Sequence, residues 1–264
     1  MKKINHSKNC YLIRKRILDI SQNISALHVG GSFSSVELIE AIYFNFLEKK
    51  KKDIFILSKG HAGILQYVVL EMKKILKKKD LDNYCKSEGF LGVHPDYGNP
   101  GIHASTGSLG HGLGIAAGIA LGNKNKKNVY VIISDGELTE GSTWEIAISA
   151  AKLKLTNLIL IVDSNDYQSS EKISESHPNL YPIDKKFKNF GWETSTCDGH
   201  NTSQIIKKIE SRKMKKPFVL IGKTTKGYPV SFMKNIPKWH YRSPDKLEYS
   251  IALEQIKKKI IDEK

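Results

Sequence analysis

Two short apolar runs that end in oxygen-bearing side chains constrain this chain more than anything else in it. Val129–Ser134 reads VYVIIS and stops at Asp135-Gly136, and Leu158–Val162 reads LILIV and stops at Asp163-Ser164-Asn165. Runs so short and so rich in β-branched residues predict buried strands. Between them Thr139–Leu155 carries a helical pattern. The sequence thus predicts a β-α-β unit with Asp135 at the end of one strand and Asn165, 30 residues later, at the end of the next. In open parallel sheets, ligands bind in the crevice outside the carboxyl ends of the strands. An Asp and an Asn converging there offer the hard oxygens that magnesium or calcium prefers, often alongside substrate phosphates.

The rest of the pattern extends this unit into an α/β fold, a mainly parallel sheet with helices on both faces. Further strands are predicted at Asp53–Leu57, Trp192–Thr196 and Phe218–Gly222, and helices at Tyr11–Leu27, Ser35–Leu47, Ala62–Lys77 and Ile205–Arg212. Ser34 or Ser35 suits the N-cap of the second helix. Val29–Phe33, with two glycines, is expected to turn the chain. Leu109–Leu121, rich in Gly and Ala, predicts a buried, tightly packed helix. Asp96–Gly107, Ser169–Asn179 and Tyr228–Tyr241 read as loops. Ser243-Pro244-Asp245 opens a last helix with Leu247, Ile251, Leu253, Ile256 and Ile260 on or near one face.

Composition narrows the function classes. At 264 residues the chain can bury a large core and fits one domain, 1–264. Its 40% hydrophobic and 26% charged residues are those of a soluble globular protein. No run approaches the about 18 apolar residues that span a bilayer, and the basic start lacks the apolar core of a signal peptide. Cys10, Cys85 and Cys197 fit neither a disulfide framework nor a zinc knuckle, so a cytoplasmic setting without membrane attachment is expected. The net charge of +15 raises nucleic-acid binding. The excess is nearly all Lys in scattered runs such as Lys49–Lys52, Lys77–Lys79 and Lys257–Lys259, Arg is scarce, and no nucleic-acid motif accompanies it. Solvated lysine faces are the simpler reading, and no nucleic-acid partner is expected.

The segment from Ser134 to Asn165, SDGELTEGSTWEIAISAAKLKLTNLILIVDSN, resembles the metal–diphosphate motif of thiamine-diphosphate enzymes, and of transketolases in particular. LSKGH (Leu57–His61), HPDYGNPGIHASTGSLGHG (His94–Gly112) and KTTKG (Lys223–Gly227) are similar to transketolase blocks in the same order, so the likeness runs from about His28 to His240. It covers only the N-terminal, diphosphate-binding part of a transketolase. The resemblance therefore implies one half of a split transketolase, with the pyrimidine-binding and C-terminal domains on a partner chain and an α2β2 assembly. The implied reaction moves a two-carbon ketol unit from a ketose phosphate to an aldose phosphate. One departure is Ser134, where the family usually has Gly.

The resemblance also implies site roles. Asp135, Asn165 and the backbone carbonyl of Tyr167 would hold magnesium or calcium. Gly136 would admit the diphosphate of thiamine diphosphate, with a helix N-terminus behind it. Gly107 and Leu109 would line the cofactor cleft. Glu140 would reach across the subunit interface to the glutamate that protonates the aminopyrimidine. His28, His61, His94 and His240 would serve as donors and acceptors, His61 and His240 toward the cofactor, His28 and His94 toward substrate hydroxyls. Taken singly, Asp135 and Asn165 are ordinary turn residues and Glu137 and Glu140 ordinary first-turn acids.

Competing readings are weaker. His94, His103 and His111, spaced nine and eight residues apart, do not match zinc pairings, and His103 has no assigned role. The glycines from Gly110 to Gly114 suggest a dinucleotide fingerprint, but no strand precedes them. Asp163 and Asp198-Gly199-His200 read as structural. Deoxyxylulose-phosphate synthases, α-subunits of 2-oxo-acid dehydrogenases and a ketol transferase of a specialised sugar pathway share the cofactor motif. A non-catalytic basic binding protein is the alternative from another class.

Overall fold

The computed structural model describes residues 4–24, 27–47, 53–123 and 126–262, which leaves the Lys49–Lys52 run outside the described residues. Seven strands form: β1 (Ile54–Leu57), β2 (Val129–Ser134), β3 (Leu158–Ser164), β4 (Tyr167–Gln168), β5 (Glu171–Lys172), β6 (Glu193–Asp198) and β7 (Phe218–Lys223). Five of them make one sheet in the order β1-β2-β3-β7-β6, and every pairing within it is parallel. β4 and β5 form a small antiparallel hairpin. The expected α/β fold with a mainly parallel sheet is what forms.

Alternation along the strands divides the interior in two. Tyr130, Ile132, Ile159, Ile161 and Leu220 point to one face, against Ile13, Leu38, Leu65, Ile205 and Ile256. Val131, Ile133, Leu160, Val162 and Ile221 point to the other, against Leu113, Ala147 and Phe187. Each such fully buried aliphatic side chain contributes about 1.5–3 kcal/mol. Both faces are covered by helices, so the strands read as continuous apolar runs rather than alternating ones. Among the described residues no helix is long and apolar enough to cross a membrane.

Several boundaries move, for local reasons. The first helix is His6–Ser21, begun earlier than the apolar periodicity suggests because the Asn5 side chain accepts the N–H of Lys8. Val29–Ser34 is a short helix rather than a turn, buried throughout by its neighbours. Ser35 precedes the helix Val36–Ala41 but makes no side-chain cap; its hydroxyl is engaged elsewhere. The stretch read as a loop over Ser169–Asn179 contains β5 and the helix Ile173–Ser176. The last helix, Lys246–Lys257, starts with a reciprocal cap between Asp245 and Glu248. Its inward face is Ala252 and Ile256, while Leu247 and Ile251 are exposed. The glycine-rich helix is Gly112–Gly122, and it is not wholly buried: Ile115, Gly118 and Leu121 face outward.

Candidate active site

The carboxyl ends of β1, β2, β3 and β7 open onto one cavity of about 300 Å³. His28, His61, His94, Gly107, Leu109, Gly136, Asn165, Tyr167 and His240 all border it, although they come from seven separate segments. Asp135 lies beneath its floor, fully buried. Glu140 does not border it; it sits at the N-cap of the helix Gly141–Lys152, half exposed.

The floor is an ion cluster. Asp163, at the end of β3, is 0% exposed and gathers the hydroxyls of Ser34 and Ser35 at 2.6 Å, the Lys59 ammonium and the Thr224 hydroxyl. Burial alone would raise its pKa, but the Lys59 ammonium and these hydrogen bonds hold it below the usual carboxylate range. Lys59 Nζ also donates to the carbonyl of Gly31 at 2.8 Å. A cation is thereby fixed immediately under the cavity.

Asp135 has the opposite electrostatics. Burial, and then the nearby Asp163 charge, push its pKa up to about 8. Its Oδ1 accepts from Gly136 N at 3.1 Å and its Oδ2 from Asp166 N at 2.6 Å, with no cation bonded to it among the described residues. A buried carboxylate that lacks a charge partner is costly unless a metal or cation neutralises it. Asn165 Nδ2 donates toward Ser34 and Asp163, both at 3.3 Å, so that the amide oxygen is the atom left for a ligand besides its bond from Tyr167 N at 3.0 Å. Carboxylate, amide oxygen and backbone carbonyl are a donor set that suits a hard divalent cation. No cluster of three His, Cys, Asp or Glu side chains suited to a metal occurs among the described residues, which removes the zinc reading of His94, His103 and His111. His103 instead lies against the carbonyl of Phe55 at 3.2 Å.

Above this floor the histidines form a triangle. Ring centroids are 5.5 Å apart for His28 and His61, 5.2 Å for His28 and His240, and 5.7 Å for His61 and His240. Burial first, and then neighbouring charge, lowers their pKa values: to about 4 for His28, with His94 and Lys226 as the nearest contributors, to about 3 for His240 through Lys226, and well below the usual value for His61 through Lys59. All three are neutral near pH 7, each with one donor and one acceptor nitrogen. Lys226 Nζ lies 2.9 Å from His240 Nδ1 and 2.6 Å from the carbonyl of Ser169. Because an ammonium only donates, His240 Nδ1 accepts and Nε2 carries the proton.

Close backbone approaches shape the walls. A Cβ on Gly60 would come within 2.7 Å of the Gly107 nitrogen, and one on Gly107, whose φ is +137°, within 2.8 Å of the His94 ring. The chain leaves β2 through a 3-10 turn, Asp135–Thr139, and the α-helix begins only at Gly141, so the expected helix N-terminus behind Gly136 is displaced by that turn. The turn forms because Glu137 is buried and reciprocally capped with Ser134, and also accepts from Ser58 Oγ and Gly110 N. Glu137 is thus a buried link between three segments, not a first-turn surface acid.

The family "Transketolase, thiamine diphosphate binding domain" matches residues 6–244. The chain belongs to the transketolase family. One of the two chains of an apulose-4-phosphate transketolase from Actinobacillus succinogenes, named as a subunit of that enzyme, is 37% identical over 95% of this chain and 95% of its own length. A 6-deoxy-6-sulfo-D-fructose transketolase subunit of a Clostridium species is 35% identical over 87% of each chain. Among solved structures, a transketolase of Pichia stipitis superposes on 97% of this chain with a TM-score of 0.87 at 23% identity, and that of Campylobacter jejuni on 95% with a TM-score of 0.85. This chain spans only 40% and 42% of those two chains.

Within this transketolase domain the sequence reading missed Lys59, Lys226 and the hub role of Asp163. Both lysines lie in blocks that carried the resemblance, LSKGH and KTTKG. Each lies just past a strand end and is flanked by small residues, which is the signal that could have singled them out from the surface lysines. Ser134 in place of the family's usual Gly is accommodated because its hydroxyl accepts from Glu137 N at 3.3 Å.

Proposed function

We propose that this chain is the diphosphate-binding half of a split transketolase, and that it holds thiamine diphosphate and a divalent cation between itself and a partner subunit. The observation that carries the reading is the unneutralised carboxylate of Asp135 beside Asn165 beneath a cavity of neutral histidines. Asp135, Asn165 and the Tyr167 carbonyl are assigned to magnesium or calcium, and Gly136 to the diphosphate. When bound, thiamine diphosphate supplies the nucleophilic carbon that cleaves a ketose and carries its two-carbon unit to an aldose.

The chain's own groups prepare that chemistry. His240 presents Nε2–H to the cavity because Lys226 occupies its other nitrogen. His28 and His61, kept neutral by burial, can each accept or donate one proton at a substrate hydroxyl or carbonyl. His94 stands exposed at the mouth, packed on Gly107. Leu109 offers apolar surface to a ring.

The partner subunit is assigned to the outward face of two adjacent helices, Gly112–Gly122 and Gly141–Lys152. Ile115, Leu121 and Ile148, with Leu153 just beyond, are 37–52% exposed there. A helix apolar on all sides is normally covered. Both helices begin beside the cavity, so a chain seated on them would also close it. The Glu140 carboxylate, with no hydrogen bond to any described residue, is assigned to the partner's pyrimidine-activating glutamate. An α2β2 assembly and phosphorylated sugar substrates complete the reading, and the pyrimidine-binding and C-terminal domains are placed on the partner.

The test is calorimetry of thiamine diphosphate with magnesium against this chain mixed with a candidate partner subunit. Binding by the mixture that disappears on chelation supports the reading; a mixture that assembles yet binds no thiamine diphosphate would overturn it.

A further inference from the structure

Beneath the Lys226 segment, on the side away from the cavity, lies a second buried ionic group. Arg14 Nη1 and Nη2 fork onto the two oxygens of Glu37 at 2.7 and 2.8 Å, with both side chains 0% exposed. His200 Nδ1 lies 3.1 Å from Glu37 Oε2, and the backbone N–H of Thr225 donates to His200 Nε2 at 2.9 Å. That backbone donor fixes the tautomer: Nε2 must be the acceptor, and Nδ1–H is the donor to Glu37. The imidazole also stacks on Tyr228, centroid to centroid at 3.8 Å, and Arg14 Nε donates to the Tyr228 carbonyl at 3.1 Å.

Every residue around Lys226 is therefore anchored by its backbone or by the floor of the site. Thr224 N donates to the Ser164 carbonyl, Thr225 N to His200, Gly227 N to the Gly30 carbonyl, and the Thr224 hydroxyl to Asp163. Lys226 itself spans from this frame to His240 and the Ser169 carbonyl. A buried Arg–Glu pair is weak as a source of stability, since apolar residues of the same volume do as well or better. What such a group does supply is a fixed geometry, here at one N–H of the segment that carries a cavity lysine.

We propose that His200 is a positioning residue, which, held by Arg14 and Glu37, fixes the Thr225 amide and through it the seat of Lys226 against His240. The inference rests on the proposed function for its ligand. It predicts that changes at His200 act on the cavity although His200 does not border it.

The experiment uses the reconstituted pair of subunits with magnesium, titrated calorimetrically with thiamine diphosphate. His200→Asn keeps an amide able to donate to Glu37 but leaves Thr225 N–H without its acceptor; His200→Gln reaches both. The expected result is an affinity about tenfold lower for His200→Asn and restored to within about threefold by His200→Gln. In a Lys226→Met background His200→Asn should have no further effect, because the two act through one group. Unchanged affinity in His200→Asn, or losses that add in the double variant, would overturn the proposal. Hydrogen exchange on the unsubstituted chain gives a check that needs neither folding of a variant nor the cofactor. The Thr225 amide should be as protected as the core amides of β7, and exchange at the rate of an open loop would also overturn it. If the unsubstituted pair binds no thiamine diphosphate, the functional reading fails, and the exchange measurement still decides the role of His200.

Discussion

Asp135 Oδ2 accepts the backbone N–H of Asp166 at 2.6 Å, so a single bond ties the end of β2 to the segment leaving β3. That bond places a carboxylate and the Asn165 amide at the same strand-end crevice. It also leaves the carboxylate buried without a charge partner, since Lys59 is committed to Asp163.

Asp135→Asn should separate stability from binding. The amide keeps the acceptor for Asp166 N and removes a costly buried charge. Without ligand, the melting temperature should therefore stay level or rise. Magnesium-dependent binding of thiamine diphosphate should fall by about 100-fold or more. Scanning calorimetry and titration calorimetry check the two halves; a variant that melts lower and binds normally would contradict the metal assignment.

Acid stability should depend on Glu37. Burial would raise its pKa, but Arg14 and then His200 bring it down to about 2 from an ordinary 4.5. Because the native state holds the proton less tightly, this stability is present above about pH 4.5 and is lost as pH falls toward 2. The shift corresponds to about 3 kcal/mol. His28 and His240, lowered to about 4 and about 3, add instability of the same sign as pH drops below about 6.5. Glu37→Gln should cost about 3–5 kcal/mol at pH 7, because Arg14 is left buried and unpaired, and should flatten the acid limb below pH 4.5. Denaturant melts across pH 3–7 measure both.

Gly60→Ala should wedge apart the two loops that carry His61 and Gly107. The added Cβ meets backbone on the other loop at 2.7–2.8 Å, and backbone cannot swing aside as a side-chain end can. A destabilisation of about 1–3 kcal/mol, with weakened cofactor binding, is the expected outcome in urea titration and calorimetry.

Ile148→Asp should leave the fold intact, since Ile148 is 52% exposed, and weaken association with the partner subunit by about tenfold or more. Analytical ultracentrifugation of the mixture, with circular dichroism of the variant alone, distinguishes an interface residue from a structural one. Wild-type assembly by this variant would remove the two-helix face from the interface.

The sheet and the Asp135–Asn165 pair were legible because period and position both report them: buried parallel strands are unbroken apolar runs, and their ends are marked by Asp and Asn. The four histidines were legible only through the flanking blocks, as nothing in a lone histidine places it at a cavity. Lys59 and Lys226 were not legible from their type, because lysine ordinarily signals a solvated surface. Their burial is made tolerable by Asp163, Ser35, Ser169 and His240, which are distant in sequence. The hydroxyls of Ser34 and Ser35 read as caps and serve instead as donors to Asp163, a choice made by tertiary contact. The hairpin and short helices after Tyr167 were hidden by polar composition: they are held by Asp166, which takes bonds from Ser174 and Tyr181, rather than by an apolar stripe. The helix Gly112–Gly122 misled in a different way. Its composition correctly indicated that both sides avoid water, but one side faces out of this chain.

The most direct test of the account is two-carbon transfer from a phosphorylated ketose such as xylulose 5-phosphate to ribose 5-phosphate, assayed with thiamine diphosphate and magnesium. This chain is measured alone and mixed with a candidate partner subunit. The account predicts no transfer by the chain alone and metal-dependent transfer by the mixture. Transfer at full rate by the chain alone would contradict the division of the active site between two subunits.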